Sequence, residues 1–150
     1  MGQKINPIAF RLGVNKGWDS IWFAKKKEFG KFLIEDFKIR KYIQKNILNS
    51  GVSDIIIERS GKKLIVSIHT SRPGFVIGKK GADIEKIKSN VLKIAKDNEV
   101  TINIKEIKKP ELNSYLVAEN IATQLVKRIA YRRAVKRGIQ SAMRLGALGI

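Results

Sequence analysis

Hydrophobic and polar residues alternate along three short stretches of the chain, at 54–59, 63–70 and 101–105. Alternation of this kind predicts β-strands that bury one face. The first two stretches are separated only by the tripeptide Ser-Gly-Lys at 60–62, a connection typical of a β-hairpin. The pattern therefore predicts a small sheet with one hairpin and one later strand.

Apolar residues recur at helical spacing around these strands. They predict one helix from about 37 to 49, with Asp36 as its N-cap and Gly51 just past its end. A short helical turn is predicted after Arg72, and a longer helix begins at Gly81. The apolar residues of this longer helix have core-facing spacing: Ile84, Ile87, Val91 and Ile94. The predicted order of elements up to residue 105 is α-β-β-α-α-β.

Most aromatic residues lie in the first three dozen positions. Residues 2–13 are polar and punctuated by glycine and proline, which predicts an extended arm. The segment that follows has the spacing of a buried helical stripe at Phe29, Phe32, Leu33 and Phe37. We interpret the rings as packing residues, because rings that stack on bases usually alternate with basic residues. At least one of Trp18 and Trp22 is expected to be largely buried.

Two glycines bracket two lysines where the longer helix begins, in the sequence Gly78-Lys79-Lys80-Gly81. Glycine permits positive φ and a close backbone approach to a ligand, and a helix N-terminus offers unpaired N–H groups to an anion. The lysines add positive charge. The motif predicts a phosphate clamp, and the alternative is an ordinary turn with solvated lysines.

The charge balance favours a polyanionic partner. The chain has 31 Lys and Arg residues against 13 Asp and Glu residues, which gives a formal net charge of +18 and a pI near 10.3. Such a chain repels itself unless a polyanion is its usual partner, and nucleic acid is the leading candidate. With 150 residues the chain can form one domain or two small ones, and its hydrophobic content of 43% is enough for a packed core.

Other chemistry has little support in the sequence. The absence of cysteine excludes disulfides and thiolate metal sites, and the single histidine, His69, cannot form a multi-histidine centre. His69 is predicted on the polar face of a strand, opposite Leu64, Val66 and Ile68, without a catalytic partner. No Walker-type loop, membrane-spanning run or secretory signal is present. We therefore expect a soluble, intracellular protein that is not an enzyme, needs no cofactor and has no small-molecule substrate.

A run of cations lies near the C-terminal end of the sequence, at Lys127, Arg128, Arg132, Arg133, Lys136, Arg137 and Arg144. No acidic residue interrupts it. Helical spacing predicts a charged stripe opposite an apolar side formed by Val135, Ile139, Ala142 and Met143. Solvated faces usually mix charges of both signs, so nucleic acid is favoured as the partner. A solvated face remains an alternative, as does a helix that docks on a membrane or a protein.

The glycine loop between the second and third predicted helices resembles that of the type II KH domain, in which this loop clamps about four nucleotides. Further motifs resemble the bacterial-type small-subunit ribosomal protein 3 family. They are GQKINP at 2–7, RLG at 11–13, Trp18, Ser20, WFA at 22–24, HT at 69–70, RPG at 72–74, KPEL at 109–112 and AMRLG at 142–146.

This resemblance implies a structural protein in the head of the small ribosomal subunit. Its implied partners are small-subunit rRNA, mRNA and neighbouring head proteins, with no bound cofactor. It further implies that Arg132, Arg133 and Lys136 face incoming mRNA and help to separate paired segments at the mRNA channel. The resemblance is carried over to those three residues only, and the charges of Arg72, Lys127, Arg128, Arg137 and Arg144 would support RNA binding. The expected location is the cytoplasmic ribosome, with an organellar ribosome as an alternative.

The expected fold is α+β. It consists of an N-terminal extension at 1–16, a type II KH domain at 17–108 and the start of a C-terminal domain at 109–150. Only two helices of this second domain are predicted, because the strands that follow in the family are missing. A free-standing KH regulator that binds single-stranded RNA is the alternative function, although the aromatic N-terminal segment does not suggest it.

Overall fold

The computed structural model describes residues 3–47, 50–78, 81–95 and 99–149. Within these residues one sheet has the strand order β1-β2-β3-β4. Its strands are β1 (Ser20–Ile21), β2 (Val52–Ser60), β3 (Lys63–Thr70) and β4 (Glu99–Glu106). The α-helices are α1 (Pro7–Arg11), α2 (Lys26–Asn46), α3 (Pro73–Ile77), α4 (Ala82–Ile94), α5 (Ser114–Val126) and α6 (Tyr131–Arg144), with a 3-10 helix at Pro110–Leu112.

The three predicted strands are confirmed as β2, β3 and β4. β2 and β3 form the antiparallel hairpin, in which Ser60 pairs with Lys63 and Gly61 has a φ of +58°. β4 then pairs in parallel with β3, and the short β1 pairs in parallel with β2. From α2 to β4 the elements follow the predicted α-β-β-α-α-β order.

The hydrophobic core lies between the sheet and the helices α2, α3 and α4. Its buried members are Ile39, Ile43, Ile55, Ile57, Leu64, Val66, Ile68, Val76, Ile87, Val91, Ala95 and Val100. Leu64, Val66 and Ile68 are on the buried side of β3, as their alternation predicts. On α4, Ile87 and Val91 are buried, Ile94 packs against the core and Ile84 is partly buried, which confirms the core-facing side.

The prediction for α2 is wrong at its N-terminal end. The helix begins at Lys26 and not near residue 37, so Asp36 is inside the helix and is not its N-cap. The Asp36 side chain is fully buried and accepts hydrogen bonds from Ser20, Trp22 and Arg59. A buried carboxylate requires such partners, and they are distant in sequence. The predicted C-terminal part at 48–49 falls outside the described residues.

The predicted burial of the aromatic stripe is wrong for three of its four residues, while the fourth, Phe32, is partly buried. Phe29, Leu33 and Phe37 are each at least half exposed, because the buried side of α2 is formed by Asp36, Ile39 and Ile43. Trp18 is 69% exposed, and Trp22 is partly buried against the rings of Phe29 and Phe32. Tertiary contacts, and not the aromatic spacing, therefore determine which side of α2 faces the core.

The N-terminal segment is not a wholly extended arm. Residues 7–11 form the short helix α1, with Pro7 in its first turn. The Asn6 side chain accepts hydrogen bonds from the backbone N–H groups of Ile8 (2.9 Å) and Ala9 (3.3 Å). Proline at the first helical position and asparagine at the N-cap explain this single turn.

The helix α6 packs on α5 through a glycine. Gly138 of α6 lies against Ile121 and Val117, and an added Cβ would come within 3.2 Å of Ile121 Cδ1. Ala134 and Ala142 are buried on the same side of α6. The predicted apolar side is therefore only partly correct: Ala142 is buried, whereas Val135, Ile139 and Met143 are each at least 39% exposed.

Candidate nucleic-acid interface

The glycine loop joins α3 to α4. Gly78 follows α3 with a φ of +72°, and Gly81 precedes α4 with a φ of +81°. Residues with a Cβ rarely adopt this conformation, so both turns require glycine. Lys79 and Lys80 lie outside the described residues. The two glycines thus have the expected geometry, and the phosphate clamp formed with the lysines stays a prediction.

An acidic residue that the sequence reasoning did not single out lies beside this loop. A Cβ added at Gly78 would overlap the Asp83 carboxylate, which also forms an ion pair of 3.4 Å with Lys86. Asp83 and Glu85 are both in the first turn of α4, where their charges interact favourably with the helix dipole. Their place in this turn could have been predicted from the sequence, since the helix was expected to begin at Gly81. Since carboxylates already compensate this helix end, phosphate binding there would depend mainly on the lysines.

Arg72 lies at the N-terminal side of the same loop region. It is exposed and immediately precedes α3, and its backbone N–H donates a 3.1 Å hydrogen bond to Thr70 Oγ1. This bond fixes the backbone where the sheet ends and α3 begins. The Arg72 guanidinium is therefore attached to a well-anchored backbone before the glycine loop.

The cations of α6 share one exposed side of the helix. These are Arg132, Arg133, Lys136, Arg137 and Arg144. Helical geometry places them away from Ala134 and Ala142, which face the rest of the protein. Met143 also falls near the cations and is 49% exposed. Across the described ranges, no ion pair joins these cations to a carboxylate.

The two remaining cations occupy the turn between α5 and α6. Lys127 and Arg128 are both exposed. On the far side of the turn, Arg132 Nε donates a 3.0 Å hydrogen bond to the Tyr131 hydroxyl, and its guanidinium lies 5.7 Å from the Tyr131 ring centroid. Lys127 and Arg128 thus lie just before the first turn of α6, which carries the other cations. Among the hydrogen bonds and ion pairs of the described residues, none joins Lys127, Arg128 or Arg132 to Gly78 or Gly81.

The part of the chain that the structure describes contains no candidate metal centre. No group of three or more His, Asp or Glu residues there could hold a metal ion. His69 is partly buried on β3, and its Nε2 atom has no hydrogen-bond partner among the described residues. None of the described helices is both long and apolar enough to cross a membrane.

Three features together define the class of this protein: the α-β-β-α-α-β order, the glycine loop between two helices, and the exposed cations. They are those of a KH-domain protein, and a KH-domain family model matches residues 38–112, half of the chain. The match covers the sheet from β2 to β4, the glycine loop and the C-terminal part of α2.

Curated relatives extend the similarity over the whole chain. The small ribosomal subunit protein uS3 of Pelagibacter ubique is 71% identical over 150 residues, which cover 66% of that protein. The uS3 protein of Parvibaculum lavamentivorans is 59% identical, with 63% of its length covered, and that of Methylacidiphilum infernorum is 52% identical, with 70% covered. The chain belongs to the small ribosomal subunit protein uS3 family. This is a family of ribosomal proteins and not a class of enzymes, and the chain spans about two thirds of these relatives' length.

Proposed function

We propose that this chain is a constituent of the small ribosomal subunit head that binds small-subunit rRNA. The observation that carries the proposal is membership of the uS3 family, with similarity over all 150 residues. The net charge of +18 and the exposed cations of α6 support an RNA partner. In this proposal the protein works on the ribosome, in the cytoplasm or in an organelle, without a cofactor.

The glycine loop is the first proposed RNA contact. Gly78 and Gly81 have the backbone geometry that lets a nucleic-acid backbone approach closely, and Lys79 and Lys80 supply positive charge between them. Because the neighbouring carboxylate of Asp83 opposes an anion, removal of the two lysine charges should have a large effect.

The test is a salt titration of binding between the full chain and small-subunit rRNA. Replacing Lys79 and Lys80 together by Asp should weaken binding and reduce the log–log salt slope by about 1.4 for a single strand. A matched control makes the same charge change at Lys62 and Lys63, which are exposed on the β2–β3 hairpin. An unchanged slope in the loop variant alone would refute the clamp.

The second proposed role concerns mRNA. Arg132, Arg133 and Lys136 are exposed on one side of α6 and have no carboxylate partner among residues 99–149. Contacts to sugar and phosphate position a strand without reading its bases. We propose that these three residues hold incoming mRNA at the mRNA channel and assist its threading and unwinding.

Ribosomes that carry the triple alanine variant at 132, 133 and 136 test this role. They should translate through stable hairpins more slowly, while unstructured messages are translated at nearly the normal rate. The matched control replaces three exposed lysines outside α6, Lys105, Lys108 and Lys109. If the variant protein is instead depleted from subunits and the translation of both kinds of message slows equally, these three residues bind rRNA.

Neighbouring proteins of the subunit head are also proposed partners. The exposed side chains of Phe29, Leu33 and Phe37 on α2 offer such proteins an apolar surface. A free-standing RNA-binding regulator is the second candidate, favoured only by the glycine loop. Sedimentation of a cell extract in high salt separates the two, because a ribosomal protein should stay with the small subunit and a regulator should form a free pool.

A further inference from the structure

The helix α5 ends in a Schellman motif with an arginine at its left-handed position. The backbone N–H of Arg128 donates to Leu125 O (2.9 Å), and that of Ile129 donates to Gln124 O (3.1 Å). These two bonds satisfy carbonyl groups at the end of the helix. Arg128 has a φ of +60°, and it is the only residue other than glycine with a positive φ in the described ranges.

Glycine is the residue that usually occupies this position, because it lacks the Cβ that makes positive φ unfavourable. The arginine therefore lowers the stability of the turn relative to glycine. No contact made by its side chain compensates within the structure that is described. Arg128 is exposed, and no hydrogen bond or ion pair of its guanidinium is present among those residues.

The surroundings of Arg128 indicate what its side chain binds. Lys127 precedes it, Arg132 and Arg133 follow in the first turn of α6, and the sequence from 127 to 144 contains no acidic residue. Residues in strained backbone conformations cluster at functional sites. We propose that the Arg128 guanidinium contacts the phosphodiester backbone of RNA. The arginine that makes this contact leaves the turn less stable than a turn with glycine would be. The proposal rests on the proposed RNA-binding function.

The substitution Arg128→Gly separates a binding role from a structural one. It should raise the melting temperature of the full chain by about 1–4 °C, since it relieves the left-handed strain. It should also weaken binding to small-subunit rRNA and reduce the log–log salt slope by about 0.7–0.9, the value for one phosphate contact. Arg128→Lys retains the charge and should keep most of the salt slope at a nearly unchanged melting temperature.

Lys127→Gly is the matched control. It removes the neighbouring charge at a residue whose φ is −77°, where glycine relieves no strain and should lower the melting temperature. If Arg128→Gly leaves the salt slope of a normally binding chain unchanged, the inference is wrong and the RNA-binding function stands. If Arg128→Gly lowers the melting temperature, the side chain is structural and the inference is again wrong. Failure of the unmodified chain to bind rRNA would refute the proposed function itself.

Discussion

The indole Nε1–H of Trp22 donates a 2.7 Å hydrogen bond to Oδ2 of Asp36, a residue with no solvent exposure. The same oxygen accepts from the Ser20 hydroxyl at 2.9 Å, and the other carboxylate oxygen lies 2.6 Å from Arg59 Nη2. Arg59 also pairs with Glu35 at 2.9 Å. One buried carboxylate thus connects the segment before α2, the helix itself and the strand β2.

Replacing Asp36 by Ala should destabilise the protein by about 3–5 kcal/mol. The substitution leaves the largely buried Arg59 guanidinium, the Ser20 hydroxyl and the Trp22 indole N–H without the carboxylate that accepts their hydrogen bonds. Urea unfolding of the full chain measures this cost. Asp54 provides the control, since it is exposed and its carboxylate has a hydrogen bond only from the Ser53 hydroxyl among the described residues. Asp54→Ala should change stability by less than about 0.5 kcal/mol. Equal effects would contradict a structural role for Asp36.

The two tryptophans should respond very differently to truncation. Trp22→Ala removes the bond to Asp36 and the ring contacts with Phe29 and Phe32, at centroid distances of 5.4 and 5.7 Å. We expect a loss of about 2–4 kcal/mol, less than for a fully buried ring. Trp18→Ala should cost less than about 0.5 kcal/mol, because Trp18 is mostly exposed. Thermal unfolding that shows a larger loss at Trp18 would reverse the assignment.

Gly30→Ala should stabilise the protein. Gly30 lies inside α2, its φ is not positive, and apart from its chain neighbours and the backbone of its own helix no heavy atom lies within 4 Å of the position that a Cβ would occupy. Alanine reduces the entropy of the unfolded chain, so we expect a gain of about 0.5–1 kcal/mol in chemical unfolding. Gly61→Ala is the opposite control, since its φ of +58° disfavours alanine and should make that variant less stable. A loss of stability in Gly30→Ala would mean that this side of α2 packs against neighbouring atoms.

Gly138→Leu should disrupt the packing of α5 on α6. Even a Cβ at Gly138 meets the side chain of Ile121 at 3.2 Å, and a leucine needs much more space. Overpacking of this kind costs about 1–3 kcal/mol. Hydrogen exchange should show faster opening of α5 and α6, with little change in β2 to β4. Leucine at the exposed Gln140 is the control, and similar exchange in both variants would contradict close packing at Gly138.

The sheet and the glycine loop were predictable because their signals are local. Alternation defines β2, β3 and β4 to within two residues at each end, and Gly78 and Gly81 occupy turns that need positive φ. The start of α2 was not predictable in this way. Asp36 before an apolar run has the local appearance of an N-cap, whereas its actual partners come from segments far away in sequence. The αL conformation of Arg128 has no local signal either, since arginine is an ordinary residue in a helical turn.

The parallel pairing of β3 with β4 has a consequence for synthesis of the chain. β3 and β4 are neighbours in the sheet, but residues 71–98 must be made between them. At about 5–20 residues per second, this interval lasts roughly 1–6 s. During that time the nascent hairpin has an unpaired strand edge, and the apolar side of Leu64, Val66 and Ile68 lacks part of its cover. A newly made copy is thus most prone to aggregation just before β4 emerges, and a chaperone that shields strand edges would act in that interval.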